Sequence, residues 1–336
     1  MAFTAADVKN LREMTGVGMM DCKKALTASD GDMDKAVEFL REKGLAASAK
    51  KAGRVAAEGM AYAAVIDGVG VVVEVNAETD FVGKNEKFVD FVKGVAATVA
   101  ANKPADLEAL MACKYNGTDL TVEQQQQEMV LVIGENIKVR RFAIFTDGVS
   151  VPYIHAGGKI GVLVNMEVEG IDAAQVTELG KDIAMQIAAM NPIAIDEAGV
   201  SESVKEKEIQ VAIEKTKAEQ VQKAVEAALK KAGINPSHVD SEAHMESNMD
   251  KGWITAEDVA KAKEIIATVS AEKAANLPQQ MIENIAKGRL GKFLKEVCLL
   301  NQEDIMDGKK TVRETMKEID PELQILAFKR FTLRAE

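Results

Sequence analysis

Few side chains in this sequence are suited to acid–base or nucleophilic chemistry, and none stands in a constellation that completes a reaction. The three histidines are His155, His238 and His244, and the three cysteines, Cys22, Cys113 and Cys298, are widely spaced and odd in number. That spacing forms neither a disulfide framework nor a metal-ligand set. A Gly-rich phosphate loop ending in Lys-Ser/Thr, a nucleophile elbow, a His-Glu-x-x-His pair and a dinucleotide fingerprint are all missing. The residues thus predict no catalytic group, no metal and no cofactor: a protein that binds rather than an enzyme. One enzymatic reading is left, a site built on Asp80 and His155, and it requires a deep pocket joining the two.

Three places carry binding chemistry. Thr79-Asp80-Phe81-Val82 sets a carboxylate beside a large apolar ring between a strand pattern and a helix pattern. A loop-borne aromatic of this kind suits intrusion into a partner, because buried aromatics dominate interface energetics. The same residues also allow a plainer role, in which Phe81 and Val82 staple the next helix and Thr79 or Asp80 satisfies backbone donors. Met19, Met20 and Lys23 lie on a short amphipathic helix with Cys22, Lys24, Ala25 and Leu26. Methionine faces adapt to partner surfaces, and they also fill cores. His155, within residues 152–161 (PYIHAGGKIG), is either a contact on a protruding loop or, as the residues alone favour, a turn histidine beside a glycine hairpin.

The composition sets the class of partner. Over 336 residues the formal charge is -11, so phosphate backbones repel the chain and nucleic acid is not an expected ligand. The charge is uneven: residues 1–60 hold 10 Lys or Arg against 9 Asp or Glu, which makes the N-terminal piece its own electrostatic module. Hydrophobic residues at 47% and charged residues at 28% are ordinary for a globular chain, and aromatics at 4% with abundant Ala, Lys and Glu predict mostly helix. The first ten residues lack a basic stretch followed by an apolar one, and no run of about 18 apolar residues occurs. The expectation is a cytoplasmic protein that is neither exported nor membrane-spanning.

The elements that must position these residues follow from periodicity and punctuation. Thr4 caps a first helix carrying Val8, Leu11 and Met14, a second starts near Gly18, and Asp32 caps a third with Met33, Val37 and Leu40, ended by Gly44. A basic, alanine-rich connector follows at 45–56 (LAASAKKAGRVA). Tyr62, Ala64 and Ile66, then Val69, Val71, Val73 and Val75, alternate about Asp67-Gly68 as a β-hairpin. A helix over 85–101 carries Phe88, Phe91, Val92, Val95 and Val99. A similar strand and helix return at 159–168 and 176–190, so that Gly70 to Asn102 and Gly161 to Asn191 span 32 and 30 residues. This predicts a duplication giving two related α+β lobes. Between them, Gln124 to Gln127 reads as a solvated helix face and 136–145 as a strand. A long helix over 201–232, with an apolar seam at Val204, Val211, Ala218, Val221, Val225 and Ala228, pairs with a second helix capped by Thr255.

Residues 11–26 (LREMTGVGMMDCKKAL) and 74–82 (EVNAETDFV), in this order, resemble the elongation factor Ts family. Residues 134–141 (GENIKVRR), 155–164 (HAGGKIGVLV) and 288–302 (GRLGKFLKEVCLLNQ) continue the resemblance, which covers about 1–200 and 277–336 and is one of form only over 205–275. It implies an α+β protein with a UBA-like three-helix domain at 1–45, a linker at 46–58, a core N-lobe at 59–140, a core C-lobe at 141–200 with 277–336, and a coiled-coil-like helical hairpin at 201–276. It further implies a guanine-nucleotide exchange factor of translation elongation, whose partner is the GTPase elongation factor Tu. The family role of the 79–82 loop falls on Thr79, Asp80, Phe81 and Val82, which would push into the nucleotide domain and disturb its magnesium site. Met19, Met20 and Lys23 match the N-terminal contact surface, and His155 a contact in the second lobe. Ala77 and Gly83 replace the more usual polar and Ala or Ser residues beside the loop, a departure implying more flexibility. Longer members carry a further C-terminal helix touching the GTPase, whereas here the strand-like 326–333 lies close to the end. The rival reading is a binding scaffold without exchange activity, associated with the ribosome or a chaperone. Whether the hairpin pairs with a second copy, with the GTPase or with nothing stays open.

Overall fold

The first and third helices of the N-terminal bundle start where a side chain accepts an orphan backbone N–H, while the second starts at Gly18 without a side-chain cap. In the computed structural model, which describes residues 3–167 and 173–333, Thr4 and Asp7 form a reciprocal capping box at the head of α1 (Ala5–Thr15). Gly16, at φ 71°, ends that helix in the left-handed region. Next come α2 (Met19–Ala28) and α3 (Met33–Lys51), the latter capped by Asp32, whose carboxylate accepts the Lys35 N–H at 3.1 Å. Val8, Leu11, Cys22, Leu26, Ala36 and Leu40 form the bundle's core.

The third helix corrects the sequence reading. It does not stop at Gly44 but runs to Lys51, through half of the expected linker. Gly44 is a packing residue: a Cβ there would fall 3.2 Å from the Gln127 carbonyl oxygen on the facing helix over Val122–Ile133, while the alanine-rich stretch beyond it sustains the helix.

β1 (Glu58–Ile66) and β2 (Val69–Ala77) form the hairpin about Asp67-Gly68, both at positive φ, and α4 (Glu86–Asn102) lays Phe88, Phe91, Val92, Val95 and Val99 on the sheet. After α5 (Leu107–Ala112) and α6 (Val122–Ile133), β3 (Lys138–Phe145) joins β2 antiparallel, running past the lobe boundary expected at 140. The glutamines of α6 are not a purely solvated face. Gln124 completes a capping box with Thr121, and the Gln126 side-chain oxygen accepts the Val139 N–H at 2.8 Å.

The C-lobe repeats this order. β4 (Val149–His155) and β5 (Ile160–Met166) form a hairpin followed by α7 (Ala173–Met190), and the last helix and strand of the chain, α12 (Val312–Ile319) and β6 (Ile325–Thr332), complete it. Each lobe has an isolated bridge, Lys114 to Thr121 and Glu303 to Thr311, just before a helix with a capping box. The α+β class and the two related lobes are therefore real, and the repeat is longer than the strand-loop-helix read from sequence. Val168, the expected last residue of the second repeat's strand, lies outside the described residues.

The two sheets face each other across small residues. Ala61, Ala63 and Val72 meet Leu163 and Phe331, so β2 is buried along its whole length between α4 and the second sheet. Glu74 of β2 is fully buried, yet its carboxylate is matched by Arg141 Nε at 2.6 Å, Arg140 at 3.2 Å and Asn76 Nδ2 at 3.1 Å. Arg141 continues to the Thr332 carbonyl at 3.3 Å and lies 4.4 Å over the Phe331 ring, which ties the two sheets together.

Tyr115 stacks on Phe91, and burial, with Asp90 adding, pushes its phenol up to about 12 from an ordinary 10.0. A raised acid pKa means that the stability held by the neutral phenol is complete below about pH 10 and is lost as pH rises through about 12. Phenolate absorbance should show one of the three tyrosines ionising only near pH 12, and Tyr115→Phe should remove that late step.

The chain divides into two units, 1–195 with 303–336, and 196–302. In the second unit, α8 (Glu202–Lys231) meets α10 (Ala256–Ala275) and α11 (Gln279–Val297), with α9 (Glu242–Asp250) in the connection. The helix from 279 was expected in the C-lobe, but it packs along α8 instead. A helix of 30 residues is about 45 Å long, and two helices of 20 and 19 residues separated at Pro278 cover it where one cannot. Because α8 meets different partners along its length, Val211 and Ala218 are exposed and Ala212, Thr216 and Leu229 are inside.

Candidate functional site

The 79–82 loop leaves β2 and is anchored at both ends. At its stem the Glu78 and Thr79 N–H groups each donate to Glu135 Oε2 at 3.0 Å, and the Thr79 hydroxyl donates to Glu135 Oε1 at 2.7 Å. The Asn136 N–H donates in return to Glu78 Oε1 at 2.7 Å, and Asn136 Nδ2 to the Arg54 carbonyl at 2.8 Å. At the far end a single 3-10 turn, Val82–Lys84, leads to Asn85, whose side chain caps α4 by accepting the Lys87 and Phe88 N–H groups.

Between these anchors Phe81 is 81% exposed, which excludes the staple reading for its ring. Asp80 is exposed too, and its carboxylate has no hydrogen-bond or ion-pair partner among the described residues. Val82 behaves differently from its neighbours: at 6% exposure it belongs to the N-lobe core and anchors the loop from inside. Gly83 does not loosen the loop. It is buried against β1, where a Cβ would fall 2.7 Å from the Gly59 carbonyl oxygen, so the residue permits a close approach. Ala77 is buried within β2, paired with Glu58.

Met19 and Met20 are 50% and 66% exposed, with Lys23 exposed one turn on, while Cys22, Ala25 and Leu26 take the inner face of α2. The methionines are therefore surface rather than core. The turn leading into α2 touches the loop region: Lys87 Nζ donates to the Gly16 carbonyl at 3.1 Å, and a cleft is lined by Gly16, Phe81, Val82, Asn85, Lys87, Val132 and Ile133. That cleft includes neither Asp80 nor His155, so it is not the pocket the enzymatic reading needs.

His155 is the last residue of β4, not part of an irregular loop. The strand carries Pro152, which an edge strand tolerates, and β4 is the edge of its sheet. The His155 ring is exposed, with Nδ1 3.0 Å from the Tyr153 hydroxyl. The turn after it is fixed against β1: the Ala61 N–H donates to the Gly158 carbonyl at 2.7 Å, and a Cβ on Gly158 would meet Met60 Cγ at 2.9 Å. Gly59 thus backs the Phe81 loop and Met60-Ala61 the His155 turn. Neighbouring residues of one strand bring the two predicted contacts to the same end of the sheets, beside the α1–α2 turn.

The sequence reading missed Glu135. It follows Gly134, the left-handed C-cap of α6, and lies 56 residues from Thr79 in the chain. Its only signal was its place in the 134–141 stretch, which shows no link to the loop before folding. No group of three or more His, Cys, Asp or Glu suited to a metal ion occurs among the described residues, and no described helix is long and apolar enough to cross a membrane.

A family model described as elongation factor TS matches residues 78–233 and 223–335. A curated elongation factor Ts of Parabacteroides distasonis is 64% identical over 337 residues, covering 100% of both chains. That of Bacteroides fragilis is 58% identical, also over 100% of both, and that of Syntrophotalea carbinolica 40% identical over 99% of this chain and 93% of its own. With the loop, the bundle and the two lobes in place, these matches over its whole length show that the chain belongs to the elongation factor Ts family.

Proposed function

We propose that this chain is a guanine-nucleotide exchange factor of translation elongation: it binds elongation factor Tu carrying GDP and promotes release of the nucleotide. The observation that supports this best is the Phe81 ring, 81% exposed beside an unpaired Asp80 on a loop anchored at both ends. An aromatic ring held out at a fixed place beside a carboxylate is available as an anchor for a partner, because buried aromatics dominate interface energetics.

Exchange is a coupling between two ligands of one protein. A factor that weakens GDP is itself weakened by GDP to the same degree, typically about 1–3 kcal/mol, and more where a magnesium-bridged phosphate site is dismantled. No proton transfer and no covalent step is needed, which agrees with the absence of any complete acid–base constellation in the sequence. In this reading Met19, Met20 and Lys23 hold the GTPase from the bundle and His155 from the second lobe. The loop carrying Thr79, Asp80, Phe81 and Val82 wedges the partner's phosphate and magnesium site, with Asp80 and Phe81 entering and Val82 bracing from within.

Release of a fluorescent GDP analogue from elongation factor Tu is the direct test. Adding this chain should accelerate release severalfold at substoichiometric amounts. Unchanged release, with binding still detected, would leave the scaffold without exchange activity as the correct description.

A further inference from the structure

We infer that Glu135 is the positioning residue of the exchange loop: its carboxylate fixes the path of residues 78–79 so that Asp80 and Phe81 project at a set angle. The inference rests on the exchange reading above and extends it to a side chain that need not touch the partner.

Three donors converge on this one carboxylate, two backbone N–H groups at 3.0 Å and the Thr79 hydroxyl at 2.7 Å. An ionised carboxylate is acceptor-only with two oxygens, the chemistry that suits three converging donors, and charge-assisted bonds of this type are roughly twice as strong as neutral ones. The residue is itself held by the backbone, since it follows the C-cap of α6 and its neighbour Asn136, which is buried, bonds back to Glu78 and Arg54. The clamp is therefore reciprocal. On the far side Val82 sits in the core, the Lys84 N–H donates to the Phe81 carbonyl at 3.2 Å, and the Asn85 N–H to the Val82 carbonyl at 2.9 Å. Asp80 and Phe81 are thus suspended between two fixed points. Removing the Glu135 acceptors frees one of these points, and the ring then samples many directions before docking, an ordering cost met at the moment of exchange.

The test uses the full chain. In Glu135→Ala, amide hydrogen exchange at Glu78 and Thr79 should quicken by about tenfold or more while amides of β2 and α4 keep their protection. GDP release at saturating factor should slow by about tenfold, below the roughly hundredfold that a full misplacement costs, because the Val82 end stays anchored. The factor concentration giving half-maximal release should change less than about twofold, since the bundle and His155 contacts remain. Glu135→Gln keeps one oxygen for the two amides and offers its NH₂ to the Thr79 hydroxyl, so it should restore most of both readouts. A purely structural role would not separate maximal rate from half-saturation. Amides at 78 and 79 that stay protected in Glu135→Ala, or a release rate equal to that of the unaltered chain, would overturn the assignment. If the unaltered chain releases no GDP, it is the exchange reading that fails, and the amide measurement alone still decides whether Glu135 clamps the loop.

Discussion

Phe81→Ala is expected to slow GDP release at saturating factor by on the order of thirtyfold, with little change in the stability of the chain. Truncating a buried aromatic anchor at an interface typically costs about 2 kcal/mol or more, and each 1.4 kcal/mol is tenfold. The full cost falls on exchange rather than folding, because the ring is exposed in the free chain and contributes nothing to the N-lobe core, which Val82 fills beside it. Binding to the GTPase should persist through Met19, Met20, Lys23 and His155, so a pull-down stays positive while stopped-flow release of labelled GDP is slow. Phe81→Leu, which keeps apolar bulk, should fall between. Release at the unaltered rate from Phe81→Ala would remove the wedge from the mechanism and leave the bundle as the main surface of action.

The other large effect concerns the scaffold. Arg141→Ala should destabilise the first unit by about 2–3 kcal/mol. Breaking a buried ion pair by deleting one partner typically costs about 3–5 kcal/mol, and the lower figure follows because Arg140 remains to meet Glu74 at 3.2 Å. Along with the bond to Glu74, the change removes the link to the Thr332 carbonyl and the guanidinium over the Phe331 ring, the contacts that join one sheet to the other. In a unit of this size each kcal/mol corresponds to roughly 2–4 °C, so thermal unfolding should move down by roughly 5–10 °C. Arg141→Lys should not recover the loss, because an ammonium cannot reach Glu74 and Thr332 together or lie flat on the ring. An unchanged unfolding midpoint in the alanine variant would show that the buried Glu74 is satisfied without it.

These two residues differ in how far the sequence announces them. Phe81 was named from sequence as half of an aromatic-and-acid tip, yet the same letters allowed it to staple α4, as Val82 in fact braces the loop from the core. Nothing local distinguishes two adjacent apolar residues after a strand; the sheet decides, by turning one side chain inward. Arg141 and Glu135 carried no signal beyond their place in the 134–141 stretch, because their partners lie far away in the chain and nothing local points to them. The same limit explains the edge strand β4, hidden by Pro152 and His155, and the continuation of α3 through a glycine that packs rather than stops.

What the sequence determined by itself is whatever short-range rules govern: the caps at Thr4, Asp32 and Thr255, the hairpin about Asp67-Gly68, the apolar stripe of α4, the repeat of strand and helix, and the lack of any complete catalytic set. Apart from the repeat and the missing catalytic set, which are read along the whole chain, each depends on residues close together in sequence, where backbone hydrogen bonding and side-chain period leave few alternatives. Only the tertiary structure decided that Phe81 faces solvent and Val82 does not, that Glu135 holds the loop, that Arg141 joins the sheets, and that α11 lies along α8. Those outcomes require groups distant in the chain to meet, and such meetings follow from the packing of whole faces, which no local pattern specifies.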